Sequence, residues 1–597
     1  MMLERLIRFS LTQRLLLLVL TVLLIAAGVQ AFLGLPIDAF PDVSTTQVKI
    51  ILKAPGMTPE EVETRLATPV EQEMLGIPNQ RLLRSTSKYA LTDITIDFED
   101  GPDIYWARQQ VGERLAAAMG NLPPGVSGGM APITTPLGEM FMFTIEGDLP
   151  AAEKRALLDW VIRPQLRTIP GVADVNSLGG EVRTFEVVPN PQLLAARGLA
   201  LSDLRDVLEA NNRNDGAGRL TDGEEALLVR AEGAITRLDD VRAIVLKSQE
   251  GLVVRVGDVA EVRFGALTRY GAVTKDGQGE AVEGLVLGLR GANARQVVAG
   301  VKARLQTIEA SLPPGITIQP FYDRSNLVDR AVGTVSKALV EAIVLVVLLL
   351  LAFLGNLRAA LVVALMLPLS ALGTFILMRG FGLSANLMSL GGLAIAIGML
   401  VDAAGVVVEN VESRLAEAPD NLPTLHLIFR AVREVAAPVT SGIVIIILVF
   451  LPLLTLQGLE GKMFGPVALT IVFALASSLV LSLTVVPVLA SYLIKRGAHH
   501  EPWLVRQLAA LYDRVLTLAL AHGRVFVAIA LLALAGGGFA FTLLGKNFMP
   551  TMDEGDLIMQ LEKLPSIDLD QTIALDLRVQ AAILDQVPEV KSIVARA

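Results

Sequence analysis

The chain has 597 residues, 52% of them hydrophobic, with a mean hydropathy of +0.55. That is too apolar for a soluble globular protein, while 19% charged residues are too many for a chain lying wholly in lipid. A net charge of −9 argues against nucleic acid as a partner, and the absence of cysteine excludes disulfides and thiolate metal sites. Four histidines are too few for a His-rich metal cage.

Residues 1–14 read as a short amphipathic helix on the inner membrane face. Stretches of about 20 apolar residues can span a bilayer. Seven qualify: 15–35, 337–354, 359–378, 386–411, 438–456, 466–494 and 525–545. The first is longer than the apolar core of a signal peptide and is read as an uncleaved span. Arg5, Arg8 and Arg14 before it put the N-terminus in the cytoplasm. Arg414, Arg430 and Arg433 then fall inside, in a loop at 412–437. So do Lys495, Arg496, Arg506, Arg514 and Arg524, in a loop at 495–524. The outer loops carry only Arg379 and Lys462. Residues 36–336 therefore form a large external region, and the chain is outside again over 546–597. Glu341, in the second span, reads as an interfacial carboxylate.

The external region is not helical throughout. Thr46–Lys53 alternates as a strand and ends at the Pro55-Gly56 turn. Thr58-Pro59-Glu60-Glu61 has the form of a capping box with proline at the first helical position, opening a helix to about Leu75. Strands near Leu82–Ser87 and Leu91–Phe98 follow. A helix over about Asp103–Met119 then stops at LPPGV. This β-α-β-β-α order predicts a ferredoxin-like, split-βαβ module over 36–134. A second module, over 135–335, takes strand Met140–Glu146, helix Ala151–Thr168 and strands Val172–Leu178 and Thr184–Val188. Its late helix, about Ala294–Leu312, again stops at LPPG. Between these parts an insertion over about 190–265, rich in Gly, Asp, Asn and Arg, reads as a small α/β lobe.

A longer repeat is also visible. FLGLPIDAFPDVSTTQVKIILKAPG follows the first span and LLGKNFMPTMDEGDLIMQLEKLP the seventh. Gly34 matches Gly545 and Pro41 matches Pro550, an offset of about 510 residues. Near the end, Val587–Ile593 echoes Ile169–Val175. The fold class expected is thus a polytopic α-helical membrane protein with a large external α+β region, the first half of an internally duplicated transporter.

Two carboxylates interrupt the fourth span, at Asp402 and Glu409 in GMLVDAAGVVVENVE. Seven residues apart, they share one helix face, about 10 Å apart along the axis. A charge at the bilayer centre costs at least a few kcal/mol, so such groups face a bundle interior, paired or protonated. A carboxylate enclosed by hydrocarbon is pushed toward its neutral acid, and a group so placed can take up and release protons. The two therefore read as a proton relay. The plainer alternative is a helix–helix hydrogen bond or ion pair with no transport role. Small residues around them, including Gly391, Gly392, Gly398 and Gly405, let neighbouring backbones approach closely.

SLGGLAIAIGMLVDAAGVVVENVESRL resembles the fourth helix of the resistance-nodulation-division (RND) efflux pumps. The seven-helix order, the external region between spans one and two, and the FMPTMDEGDL arm fit the same family. The resemblance implies a pump driven by protons, with a lysine from the other half pairing the helix-four acid. It also implies a bacterial inner-membrane homotrimer docked to a periplasmic adaptor (membrane fusion) protein and an outer-membrane channel. On the same resemblance the large external α+β region is periplasmic and its insertion over about 190–265 is a docking lobe.

Drug-exporting members typically carry two adjacent acids at the position of Asp402. Here Ala403 follows, which is similar to the heavy-metal branch. Ala396-Ile397-Gly398 stands where many divalent-metal members carry a further acid, and resembles the copper/silver members. The external region points the other way: copper and silver favour thioether ligands. One methionine of those pumps aligns with Leu575, and Met140 and Met142 read as strand core. Glu139, in TPLGEMFMF, resembles a glutamate lining the metal cleft of zinc-type members; its plain reading is an edge-strand glutamate. Asp553, Glu554 and Asp556 read as solvated turn residues.

The reading preferred is efflux of a divalent cation such as zinc, cobalt, cadmium or nickel, with copper or silver next, and with the metal as cargo rather than cofactor. Export of amphiphilic organic molecules, or a membrane-anchored binding or scaffold subunit that moves nothing, are the competing expectations. No GxxxxGK loop and no hydrolytic constellation is present, so an enzyme is not expected.

Overall fold

The computed structural model describes residues 2–38, 40–135, 137–249, 252–417, 422–494, 502–545, 555–564 and 566–597. They group into two compact units. One holds Met1–Met140, Gly288–Val298 and Asp323–Gln560, the other Phe141–Leu287, Ala299–Tyr322 and Leu561–Ala597. Expected features at Lys495, Arg496, Pro550, Asp553 and Glu554 lie outside the described residues.

In the first unit a four-stranded antiparallel sheet joins Gln47–Lys53, Gln80–Lys88, Leu91–Phe98 and Ser127–Met130. Numbered along the chain, their order across the sheet is 2-3-1-4, the ferredoxin-like arrangement. Val48, Ile50 and Leu52 alternate inward to meet Ile94, Ile96 and Phe98 and the helix residues Leu66, Val70, Val111 and Leu115. The capping box forms as the sequence predicts: Thr58 Oγ1 accepts from the Glu61 N–H, and Glu61 accepts from the Thr58 N–H.

In the second unit the corresponding strands are Glu139–Glu146, Val172–Gly179, Val282–Gly288 and Thr317–Asp323, again ordered 2-3-1-4 across the sheet. The expected third strand at Thr184–Val188 is not in this sheet. Arg183–Pro189 instead pairs antiparallel with Ala260–Ala266 as the neck of the inserted lobe. Val282–Gly288, buried along its whole length, takes the sheet position. A strand covered on both faces shows no alternation, which is why the pattern missed it.

Two local details repeat between the modules. Helix Pro59–Met74 widens into a π turn over Glu63–Ala67, and helix Ala151–Leu166 does so over Leu158–Ile162. A proline follows each turn, Pro69 and Pro164. Proline has no N–H to give, and each widened turn is closed by an i→i−5 bond, Thr68 to Glu63 and Arg163 to Leu158. Both LPPG stops end on a left-handed glycine, Gly125 at φ +86° and Gly315 at φ +84°.

Among the described residues six helices are long and apolar enough to cross a membrane: Arg14–Gly34, Leu357–Gly380, Leu387–Glu417, Thr424–Thr455 (its last turn 3₁₀), Gly458–Leu493 and Gly523–Leu543. Arg324–Leu354 carries a shorter apolar stretch, Val340–Phe353. Counted in chain order these are the first to seventh apolar helices, Arg324–Leu354 being the second. The fourth runs on to Glu417 and the fifth begins at Thr424, so most of the stretch read as a loop at 412–437 is helical. Hydropathy marks where a helix is apolar, not where it ends, and Arg414, Arg430 and Glu434 sit on helix beyond the apolar part. Met2–Thr12 is a helix whose Ile7, Ser10 and Leu11 are buried in the helical core. Glu4 pairs with Arg433 at 3.5 Å and Arg8 lies over the Phe429 ring. Its apolar side is therefore taken by protein. Glu341 pairs with Lys337 one turn away, both exposed.

The last described residues belong to the second unit. Helix Leu569–Gln586 turns Thr572, Asp576 and Gln580 inward at four-residue spacing. Gln580 donates to Thr274 Oγ1 at 2.8 Å, and Lys563 pairs with the buried Asp576 at 2.5 Å. Strand Val594–Arg596 pairs with Val273–Lys275.

Partial burial pushes the Glu146 carboxyl up, but hydrogen bonds from Lys275 (2.7 Å) and Thr144 (2.6 Å) outweigh it and hold the group below its ordinary 4.5. A depressed carboxylate stabilises the fold in full above its unfolded pKa, and that contribution is lost as pH falls through the folded value. Thermal melts of the detergent-solubilised chain should therefore show a pH-dependent loss that begins as the pH drops below about 4.5. Glu146→Gln should flatten that part of the profile.

Candidate functional site

Helix Leu387–Glu417 begins with a reciprocal cap that the sequence foreshadows in SANLMS. Asn386 Oδ1 accepts from the Ser389 N–H and Ser389 Oγ from the Asn386 N–H, both at 2.9 Å and both residues buried. From there the helix presents two unlike sides.

One side is pressed against helix Gly458–Leu493. A Cβ added at Gly392 would lie 2.8 Å from the Val467 carbonyl oxygen, so only glycine permits this backbone approach. Further along, Ser478 Oγ donates to the Leu400 carbonyl at 3.3 Å. Ala396, Leu400, Ala404, Val407 and Val411 are buried on this side. Toward the helix's end, polar contacts fix it to its neighbours. Asn410 donates to the Ala431 carbonyl at 2.7 Å, Arg414 pairs with Glu434 at 2.6 Å, and Asn356 donates to Glu412 at 2.7 Å.

The other side is open within the described chain. Ile395, Gly398, Asp402, Val406 and Glu409 are exposed along one stripe, at helical spacing. A Cβ added at Gly391, Gly398 or Gly405 would meet nothing within 4 Å. Asp402 and Glu409 share this stripe, and neither has a hydrogen-bond or ion-pair partner among the described residues. The stripe can thus do one thing well: offer two carboxylates, flanked by glycine, to whatever packs against it.

The structure does not bring Glu139 into this arrangement. It opens strand Glu139–Glu146 and is half-buried. Among the described residues no group of three or more His, Asp or Glu side chains is placed to hold a metal ion. Met140 and Met142 are buried strand residues, and Met142 packs on Leu285 and Leu287. The Arg596 guanidinium, held bidentate by the fully buried Glu283, donates to Met142 Sδ at 3.1 Å. Leu575 is half-buried in helix Leu569–Gln586. Sequence reasoning did not single out Asn410, Asn356 or Glu434. Asn410, next to Glu409 in an apolar run, was the one visible signal.

Apolar helices, one of them bearing two carboxylates, and two ferredoxin-like modules between the first two have the architecture of a polytopic membrane protein. The chain matches the AcrB/AcrD/AcrF family over residues 6–597 and belongs to it. It is 38% identical over its whole length to the cobalt-zinc-cadmium resistance protein CzcA of Cupriavidus metallidurans, covering 57% of that protein. It is 37% identical to the cation efflux system protein CusA of Escherichia coli K12, over 99% of this chain and 58% of the relative. A crystal structure of a heavy metal efflux pump superposes with a TM-score of 0.86 at 32% identity, over 99% of this chain and 57% of that one. The chain thus spans a little over half the length of the relatives it matches.

The asymmetry of the helix predicts an asymmetric response to added bulk. Gly392→Val should destabilise the chain by about 1–3 kcal/mol through overpacking against Val467, read as a lowered melting temperature in detergent. Gly405→Ala, on the open side, should leave the melting temperature of this chain unchanged or slightly raised.

Proposed function

We propose that this chain forms the first half of a proton-driven pump that expels heavy-metal cations. The observation that carries this reading is the stripe holding Asp402 and Glu409 on an otherwise apolar helix. Carboxylates left facing hydrocarbon would cost several kcal/mol, so the open face calls for a protein partner. In this reading a helix from the remaining length of the pump packs there and supplies a lysine to Asp402. Protonation of Asp402 releases that lysine, and the change of pairing shifts helix four against its neighbours.

The cargo we propose is a divalent cation of the zinc class. The cobalt-zinc-cadmium resistance protein CzcA and the cation efflux system protein CusA match at nearly the same identity, so identity does not choose the metal. Ligand chemistry supports the divalent reading: copper and silver favour sulfur, but Met142 is engaged by Arg596 and Leu575 cannot ligate. Oxygen ligands such as Glu139 suit zinc, cobalt, cadmium or nickel. The pump would work as a homotrimer in the inner membrane, N-terminus in the cytoplasm. A periplasmic adaptor and an outer-membrane channel would complete the export path.

Asp402→Asn in the complete pump should reach the membrane in normal amount yet leave a metal-sensitive host no more zinc-resistant than cells lacking the gene. Resistance at the wild-type level would remove Asp402 from the mechanism. The same strains plated on copper and on cationic dyes test the cargo, since protection against dyes but not zinc would mark an exporter of organic amphiphiles.

A further inference from the structure

The segment Leu35–Thr46 links the first apolar helix to the first module, and its described residues have no regular structure beyond one bridge, Ile37 with Ala385. Yet they are held at several points. Asp38 N–H donates to the Ala385 carbonyl, and Ala385 N–H to Pro36. Asp38 pairs at 2.8 Å with Arg324, a buried side chain at the start of the second apolar helix. Asp42 pairs with Arg290 at 2.8 Å. The Ser44 carbonyl accepts from two cations at once, Arg290 at 3.1 Å and Lys462 at 3.0 Å. Lys462 also pairs with Asp100 at 2.7 Å, just beyond the strand Leu91–Phe98.

Lys462 stands in the first turns of helix Gly458–Leu493, five residues before Val467. That helix is the one pressed against the carboxylate helix, at Gly392 against Val467 and at Leu400 against Ser478. A backbone-to-backbone approach of this kind has no compliant side chain to absorb a shift, so the two helices move together. Lys462 is where helix Gly458–Leu493 reaches both Ser44 of the arm and Asp100 of the first module, while the carboxylate helix meets the arm separately, at Ala385.

We propose that Lys462 is a positioning residue for transport: it passes movement of the Asp402 helix, through helix Gly458–Leu493, to Ser44 of the arm and Asp100 of the first module. This rests on the pump reading above. Lys462 touches neither proton nor cargo. Its charge lets one flexible ammonium hold a carbonyl and a carboxylate on adjacent pieces of chain. Removing it leaves both helices packed, the carboxylates in place and the Ala385 contacts to the arm intact, but takes away the tie of helix Gly458–Leu493 to Asp100 of the module.

The test uses the complete pump in proteoliposomes, with zinc flux and proton flux recorded separately. Lys462→Ala should lower zinc flux by about 10-fold or more, within the range of ordinary coupling energies. Proton flux that depends on Asp402 should persist but stop responding to zinc. Asp100→Lys, which repels Lys462 from the module side, should uncouple in the same way. Lys462→Arg keeps both contacts and should retain most of the zinc flux. The proposal is overturned if Lys462→Ala moves zinc at the wild-type rate. It is equally overturned if Lys462→Arg fails as completely as Lys462→Ala, or if both fluxes fall together with the yield of folded protein. Failure of the pump reading itself looks different: wild-type protein would then show no zinc-stimulated proton flux at all.

Discussion

The constraint on which this structure turns is the cost of placing carboxylates in hydrocarbon. Helix Leu387–Glu417 meets it by dividing its surface. Ala396, Leu400, Ala404, Val407 and Val411 go to one side, where Gly392 brings the backbone against Val467. Its acids go to the other, in line with Gly391, Gly398 and Gly405. Such a division would be wasteful in a helix that served only as an anchor, because an anchor gains nothing from acids it must shield. The polar contacts of Asn410, Arg414 and Glu412 near the end of the helix fit the same logic. They fix its azimuth, so the acids cannot rotate into the packed side to escape lipid.

Outside the apolar helices, the chain solves a different problem twice with one plan. Each module folds as a 2-3-1-4 sheet under two helices, with a proline-induced π turn in the first helix and a left-handed glycine after the second. A π turn weakens a helix, and its recurrence at matching places argues for descent from one ancestral module rather than for independent solutions. The second module differs by admitting a lobe between its second and third strands. Pairing of Arg183–Pro189 with Ala260–Ala266 closes the entry and exit of that lobe against each other, so the insertion adds residues without opening the sheet.

What could be read from the sequence follows from which interactions are local. Capping boxes, LPPG stops and apolar runs involve neighbours in sequence, and they located most helices and the first module. Asp402 and Glu409 were legible because acids in an apolar run are conspicuous whatever surrounds them. The third strand of the second module was not, since Val282–Gly288 lies about a hundred residues beyond its ladder partner Val172–Gly179 and, covered on both faces, has no period-two signal. The arm contacts were hidden for another reason. Lys462 in a short loop reads as a topology marker, and nothing nearby in sequence announces that Ser44 and Asp100 await it.

That arm also shows why irregular does not mean loose. A segment without helix or strand keeps a fixed path when its backbone groups and charges find partners elsewhere. Between Leu35 and Thr46 the Pro36 and Ser44 carbonyls and both aspartates are engaged, by Ala385, Arg290, Arg324 and Lys462, residues drawn from four separate stretches of chain. Arg324 does this from a buried position, where removing either partner of the pair would strand the other charge. Composition alone would class these twelve residues as linker. Their partners make them a junction, and the junction lies where the first, second and sixth apolar helices and the first module are tied to one another.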